Sequence, residues 1–419
     1  MQSSQARPTP EPPVFPDEPT GGVAVARAPI LDRRKTIFGY ELIDRSGMAP
    51  GPARDAEMLV QALSLADHHA TAERRALMVP CHPATVSSGH LDLVDPARVV
   101  LEITLPTGVA AAAVAAAAES LRGLRQRGFR IAFSPEALAS PLQGCLEHAS
   151  FLKIDFSRVP AAQLPALLKT ARARPGLRLI ACGIETLQQQ RYAADLGLEL
   201  FQGSWYCRPL ALRSHGVRPS QAVVLELVGL LRREASPVEI EGVLKRDPAL
   251  SFNLLRYLNS PGVGLMVEVT SFRHAVMMLG MKKLLRWACL LMATARDGAS
   301  PAVGQTAVIR GRLMELLASE MLPRDECDNA FVAGVFSLLD AMTGVALDRA
   351  LEGLLLPDAI IEALLHRRGM LAPFLDLTEA CEVGDEEGFA RAANALSLSN
   401  HQVNMAHLQA LAWAEDLLA

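Results

Sequence analysis

Apolar and polar residues follow two different patterns along this chain, and the change between them falls near residue 212. Before that point, short segments with the alternating or continuous apolar pattern of strands are separated by longer segments with helical spacing. Eight segments have the strand pattern: 23–30, 38–43, 76–81, 99–104, 129–134, 151–156, 177–184 and 198–203. Strands that alternate with helices favour parallel pairing, and the first two segments, which follow each other closely, indicate a hairpin. This pattern predicts a closed barrel related to the TIM barrel, with an open doubly wound sheet as the alternative.

After that point no segment has a convincing strand pattern. Apolar residues recur at intervals of three and four, which is the period of amphipathic helices. We therefore expect an α/β barrel over 23–212, followed by an all-helical domain over 213–419. Residues 1–22 contain repeated prolines and acidic residues, a composition typical of disorder.

Composition excludes several classes of partner. The net charge of −4 and the aromatic content of 5% argue against nucleic-acid binding, which usually requires a basic face and stacking rings. No apolar run is long enough to cross a bilayer, so we expect no membrane partner. The seven cysteines are scattered, and none are spaced C-x-x-C, as expected for reduced thiols in the cytoplasm.

The candidate chemistry lies at the carboxyl ends of the predicted strands, where a barrel of this class forms its site. These ends supply acids, a lysine and an amide, but also prolines, a serine and a thiol. In chain order they are Glu41, Pro80, Glu102, Ser134 with Pro135, Lys153, Cys182 followed by Glu185, and Gln202.

The runs GYELIDRSG, VVLEIT, FLKIDF, IACGIET and LFQGSWYCRP resemble, in order, those of an EAL domain, the barrel that hydrolyses the bacterial messenger cyclic di-GMP. The resemblance implies a site in which two divalent cations activate a water. Five residues match functional positions of the family: Glu41, Glu102, Lys153, Glu185 and Gln202. Four depart from it, because Pro80 replaces an asparagine, Ser134 and Pro135 replace an aspartate pair, and Cys182 replaces a glutamate.

The departures remove hard oxygen donors, which Mg²⁺ and Mn²⁺ prefer. We therefore expect no metal, no cofactor and no catalytic residue in the barrel. In the absence of metal, Lys153 and Glu185 are expected to form an ion pair that fills the former cavity.

The helical half resembles an HDOD domain, through DPALSFNLLRYLNSP, VTSFRHAVMMLGMKKLLRWACLLM and FVAGVFSLLDAM. Asp247 and Asn259 frame the first of these runs, either as functional residues or as helix caps next to Pro248 and Pro261. The chain has no His-Asp dipeptide, so no HD-type metal site is expected here.

Together these features predict a cytoplasmic, non-enzymatic bacterial signalling protein that acts by binding other proteins, whose identity the sequence does not indicate. The alternative is a receptor whose barrel binds cyclic di-GMP without hydrolysing it and regulates the helical domain.

Overall fold

The structure is a computed structural model. It describes residues 23–46, 49–67, 75–105, 111–139, 141–208, 219–245, 272–294, 300–352, 354, 356–383 and 385–418. The expected domain boundary, the N-terminal lead-in, Asp247 and Asn259 all lie outside these residues and stay predictions.

Residues 23–208 form a closed barrel of eight strands, arranged around the barrel in chain order. The strands are β1 (Val25–Asp32), β2 (Ile37–Asp44), β3 (Ala76–Cys81), β4 (Val99–Ile103), β5 (Arg130–Phe133), β6 (Phe151–Asp155), β7 (Arg178–Cys182) and β8 (Leu200–Gln202). All eight predicted strands are present, and the predicted barrel is confirmed over the open sheet.

Strand β1 is antiparallel to both of its neighbours, and all other pairs are parallel. The predicted hairpin is therefore confirmed. Four α-helices lie between the later strands: α1 (Pro52–Asp67), α2 (Ala111–Gln126), α3 (Leu164–Arg172) and α4 (Leu187–Asp195). Two short 3-10 turns replace the helix after β3, and two more follow β5.

The described part of the second half is helical throughout, as predicted. Its helices are α5 (Pro219–Arg232), α6 (Pro237–Lys245), α7 (Phe272–Thr294), α8 (Pro301–Ser319), α9 (Arg324–Phe336), α10 (Leu339–Thr343), α11 (Leu347–Leu351), α12 (Asp358–Ile361), α13 (Ala372–Ala380), α14 (Glu386–Ala395) and α15 (Asn400–Leu418). Helices α8 and α9 approach so closely that a Cβ on Gly334 would lie 2.6 Å from the Cα of Gly311.

The barrel interior has its own small apolar core, whose members include Ile30, Met78, Val100, Phe151 and Ile180. A second, continuous core runs from the outer face of the barrel into the helical half. Six of the seven cysteines are buried and the seventh is half-buried, and none of them forms a disulfide.

The C-terminal helices cover the outer face of the β1–β2 hairpin. Parallel strands are joined by a crossover helix that covers the sheet, whereas the two strands of a hairpin are joined by a short turn. The hairpin therefore brings no helix of its own to cover its outer face. Asn404 on α15 accepts a hydrogen bond from the Val25 N–H at 3.0 Å and donates one to the Val23 carbonyl at 2.7 Å. The Arg27 N–H donates to the carbonyl of Cys381 at 3.1 Å. Strand β8 pairs only with residues 30–32 of β1. The helical half supplies hydrogen bonds to the earlier part of β1, at Val25 and Arg27.

Candidate functional site at the barrel mouth

Four of the five residues that match the EAL family come from alternate strands. Glu41 lies on β2, Glu102 on β4, Lys153 on β6 and Gln202 on β8. In a barrel of this kind, side chains from alternate strands point inward at the same height and form one layer. The fold therefore brings these four residues together at the carboxyl end of the barrel.

Lys153 is the centre of this layer. Its ammonium donates to Glu41 Oε1 at 2.7 Å and to both carboxylate oxygens of Glu102 at 2.7 Å. Gln202 Nε2 donates to the second oxygen of Glu41 at 2.5 Å. We call Glu41, Glu102, Lys153 and Gln202 the mouth cluster. Every carboxylate oxygen of the mouth cluster accepts a hydrogen bond from within it.

The charges of the mouth cluster shift one another's proton affinities. Burial would lower the pKa of Lys153, but Glu41 and Glu102 outweigh it and raise that pKa well above its usual value. For the acid Glu41 the effect of burial has the opposite sign, because burial alone would raise its pKa. The charge of Lys153 and the hydrogen bonds from Lys153 and Gln202 outweigh burial, so the pKa of Glu41 is lowered.

Glu102 behaves differently, although it contacts the same lysine. Burial, together with the charge of Glu41, raises the pKa of Glu102 to about 7. Two half-buried carboxylates share one ammonium, so one negative charge is left unbalanced, and this raises the pKa of Glu102. At neutral pH Glu102 is therefore the member of the cluster closest to exchanging a proton.

The residues that depart from the EAL family lie on the other, odd-numbered strands. Pro80 is on β3, Ser134 follows β5, and Cys182 ends β7. Ser134 and Pro135 begin a 3-10 turn, and the Ser134 hydroxyl does not cap it. Burial raises the pKa of the Cys182 thiol, so this side chain is neutral. The odd-numbered strands thus deliver no negative charge at these three positions.

Glu185 does not join the mouth cluster. Its side chain is exposed and lies 3.6 Å from Arg208. The expected ion pair between Lys153 and Glu185 is wrong. The reason is local, because Gly183 takes a left-handed φ of +68° and Thr186 then caps α4, so the chain turns away from the mouth after β7.

A pair of divalent cations does not fit this arrangement. The carboxylate oxygens of the mouth cluster are occupied by an ammonium and an amide, and the odd-numbered strands add no hard anionic donor there. Within the described residues, no group of three or more His, Cys, Asp or Glu side chains could hold a metal ion. What the mouth offers instead is an ammonium held by two carboxylates in a partly buried setting.

A second polar cluster, between the hairpin and the C-terminal helices, was not predicted from the sequence. It contains Arg27 and Arg45 from the hairpin and His407 from α15, all of them buried. The available signal was Arg27 itself, a charged residue in an otherwise apolar strand segment.

The fold and the mouth cluster define the class of protein. Residues 219–352 match the family model of the HDOD domain. An eight-stranded barrel with an antiparallel first strand and the EAL-like residues at its mouth precedes them. The chain therefore has the organisation of an EAL-HDOD protein, as the sequence predicted.

Two curated proteins resemble the chain over nearly its whole length. One is the Vibrio cholerae protein named cyclic di-GMP phosphodiesterase CdgJ, 26% identical over 406 residues that cover 94% of this chain and 92% of that protein. The other is the uncharacterized protein YuxH of Bacillus subtilis, 24% identical over 412 residues, which cover 94% of this chain and 99% of YuxH.

Solved EAL structures resemble only part of the chain. One is the Bacillus subtilis YkuI protein in complex with cyclic di-GMP and calcium. The match covers 43% of this chain and 53% of the YkuI chain, with 19% identity and a TM-score of 0.35. A standalone EAL protein from Vibrio cholerae O395 in its cyclic di-GMP-bound form covers 44% of this chain and 91% of its own, with 18% identity and a TM-score of 0.37.

The Vibrio relative corrects one prediction. The expectation that this protein is not an enzyme is contradicted, because a protein that aligns with both of its halves has the name of a phosphodiesterase. That expectation rested on the donors missing from the odd-numbered strands. The even-numbered strands nevertheless assemble their four matching residues into one hydrogen-bonded cluster.

Among the residues that the structure describes, none of the helices has the length and apolar character to cross a membrane.

Proposed function

We propose that this protein acts on cyclic di-GMP at the mouth of its barrel and hydrolyses one phosphodiester of the ring. The observation that carries the proposal is the alignment with the Vibrio phosphodiesterase, which extends through the barrel and the helical half alike. The residues proposed for the site are those of the mouth cluster. In this proposal Glu185, Pro80, Ser134, Pro135 and Cys182 have no chemical role.

Each member of the mouth cluster has a proposed task. Nucleotide binding is proposed to draw the Lys153 ammonium from Glu102 towards the phosphodiester, whose negative charge it then offsets, as fixed cations do in phosphoryl transfer. This movement also frees an oxygen of Glu102, which accepts from Lys153 before the nucleotide binds. Gln202 holds Glu41 in place through its hydrogen bond of 2.5 Å. Glu102, whose pKa is raised to about 7 by burial and by Glu41, accepts a proton from the attacking water near neutral pH. As the water oxygen bonds to phosphorus, the P–O bond to one sugar breaks, and the leaving sugar oxygen takes up the proton that Glu102 returns.

The helical half is proposed to transmit the state of the barrel to partner proteins. Direct contacts support this coupling, since Ser300 Oγ donates to the Lys35 carbonyl at 3.1 Å and Tyr206 shares a hydrogen bond of 3.3 Å with Thr306. Cyclic di-GMP regulates such a partner only if it binds two states of the protein with different affinity.

The test is an assay with purified full-length protein and cyclic di-GMP in Mg²⁺, in Mn²⁺ and in EDTA, with products separated by chromatography. We expect the linear dinucleotide to accumulate, and Lys153→Met and Glu102→Gln to slow its formation by about a hundredfold or more. Lys169→Met is the matched control, because Lys169 is exposed on α3. Absence of product under every condition contradicts the proposal, even if calorimetry detects binding.

A further inference from the structure

The second polar cluster lies on the outer face of the hairpin, away from the barrel mouth. Arg27 is on β1, and Arg45 follows β2 with its N–H bonded to the Ala24 carbonyl at 2.7 Å. His407 approaches from α15, and Phe389 on α14 lies 5.6 Å from the Arg45 guanidinium carbon. Burial lowers the pKa of His407, and the positive charges of Arg27 and Arg45 lower it further. The charges of both guanidinium groups are therefore felt by the His407 imidazole.

Neither buried arginine has the full set of hydrogen-bond acceptors that a buried guanidinium group requires. Arg45 is 5% exposed, and none of its three guanidinium nitrogens has a hydrogen-bond partner among the described residues. Arg27 is 2% exposed, and its Nε has no hydrogen-bond partner among the described residues. Its other two nitrogens donate long hydrogen bonds of 3.5 Å, to the Val25 carbonyl and to Gln61 Oε1, and neither acceptor is charged. Such groups are rarely left without an anion or a hydrogen-bond acceptor.

The acidic residues nearby do not neutralise them. The two oxygens of Glu382 accept from Arg310 at 2.7 Å each. Asp385 accepts from the N–H of Gly388 at 2.9 Å, where it caps α14, and Glu386 is exposed. Burial raises the pKa of the Cys381 thiol to about 12, so this neighbour is neutral. The pair of buried positive charges thus has no dedicated counter-charge among these neighbours.

We propose that Arg27, Arg45 and His407 bind a phosphate group between the barrel and the C-terminal helices. The planar guanidinium fork matches two oxygens of a phosphate, and two forks with an imidazole nitrogen supply donors on several sides. His407 Nδ1 is buried and has no hydrogen-bond partner among the described residues, so it is free to contribute. A ligand here contacts both halves of the chain and stabilises their association.

The probe is inorganic phosphate, added to full-length protein in a phosphate-free buffer and followed by calorimetry and thermal unfolding. Sodium chloride at equal ionic strength is the reference. We expect one phosphate to bind per chain and the Tm to rise beyond the chloride reference. Arg45→Gln should weaken this binding by about tenfold or more, and Arg45→Lys, which keeps the charge but loses the fork, by less.

Arg158→Gln is the control, because Arg158 is an exposed arginine on the barrel. The proposal is overturned if the wild-type protein responds to phosphate no more than to chloride, or if Arg45→Gln responds like the wild type. Where inorganic phosphate binds, additional binding of cyclic di-GMP that Arg45→Gln removes identifies a nucleotide as the source of the phosphate group, and its absence identifies free phosphate. If Arg45→Gln fails to fold, Arg45→Lys takes its place, and a wild-type protein that does not respond to phosphate overturns the proposal without any variant.

Discussion

The side-chain amide of Asn404 accepts a hydrogen bond of 3.0 Å from the backbone N–H of Val25, although the two residues are 379 positions apart in the sequence. The same amide donates to the Val23 carbonyl, and Asn404 is fully enclosed where α15 meets β1. One side chain therefore replaces a neighbouring strand for this part of the barrel edge. The barrel and the C-terminal helix are joined by hydrogen bonds between the Asn404 side chain and the barrel backbone, as well as by apolar packing.

Replacing Asn404 tests this connection. Asn404→Leu leaves the Val25 N–H and the Val23 carbonyl buried without partners, at a cost of about 2 to 4 kcal/mol in the free energy of unfolding. Chemical denaturation measures the loss. Asn394→Ala, at an exposed position on α14, is the control and should change the stability by about 0.5 kcal/mol or less. Equal effects of the two substitutions would show that the Asn404 bonds contribute nothing.

Lys153→Met leaves Glu41 and Glu102 as neighbouring buried carboxylates without a counter-ion. We expect a loss of about 3 to 5 kcal/mol at pH 8. The loss should be smaller at pH 5.5, because the pKa of Glu102 is already raised to about 7 and protonation then removes one of the two charges. Denaturation at both pH values, with Lys169→Met as the exposed control, measures the difference. A loss that is the same at both pH values contradicts the charge account.

Helices α8 and α9 depend on two glycines for their close contact. In Gly334→Ala the new Cβ would lie 2.6 to 2.7 Å from backbone atoms of Gly311 and Arg310, which cannot move aside as a side chain can. We expect a loss of about 1 to 3 kcal/mol, measured by chemical denaturation. Gly242→Ala on α6 meets no atom within 4 Å and should be neutral or stabilising by up to about 1 kcal/mol. A neutral Gly334→Ala would mean that the helices separate at little cost.

His407 should make the protein sensitive to acid. Burial and the nearby Arg27 and Arg45 lower its pKa well below 6.5, whereas in the unfolded chain the ring titrates near that value. As the pH falls below about 6.5 the unfolded chain takes up a proton that the folded chain does not. The free energy of unfolding then falls by up to about 1.4 kcal/mol per pH unit.

His407→Leu should therefore lose less stability than the wild type between pH 7.5 and pH 5.5. His401→Leu, at an exposed position on the same helix, should follow the wild-type profile. Urea denaturation at several pH values gives both profiles, and parallel curves for wild type and His407→Leu would exclude His407 as the source of the acid sensitivity.

The barrel could be predicted from the sequence because its signals are local. Strand periodicity predicted all eight strands, and a barrel built from them places Glu41, Glu102, Lys153 and Gln202 at its carboxyl end. The partner of Lys153 was predicted wrongly, since the choice between Glu185 and Glu102 depends on how the chain turns at Gly183. The consequence of the missing donors was also misjudged, because residue types at single positions do not show whether the remaining groups form a cluster.

The covering of the hairpin could not be predicted from local patterns. The contacts that cover the hairpin join β1 to Cys381 and Asn404. The spacing of apolar residues predicts where helices and strands form, but it does not indicate which helix packs on which strand. Arg27 stood out only as a charge among apolar residues. Whether such a residue faces solvent, a salt bridge or a ligand is decided by elements that lie hundreds of residues away.

The dependence of β1 on Asn404 and Cys381 has a consequence for any attempt to divide the chain. A recombinant barrel that stops before α5 would keep the strand but lose the acceptors of Val25 and Arg27. Its exposed edge would then be open to β-pairing with a second molecule, so such a truncation should self-associate even if each strand forms correctly.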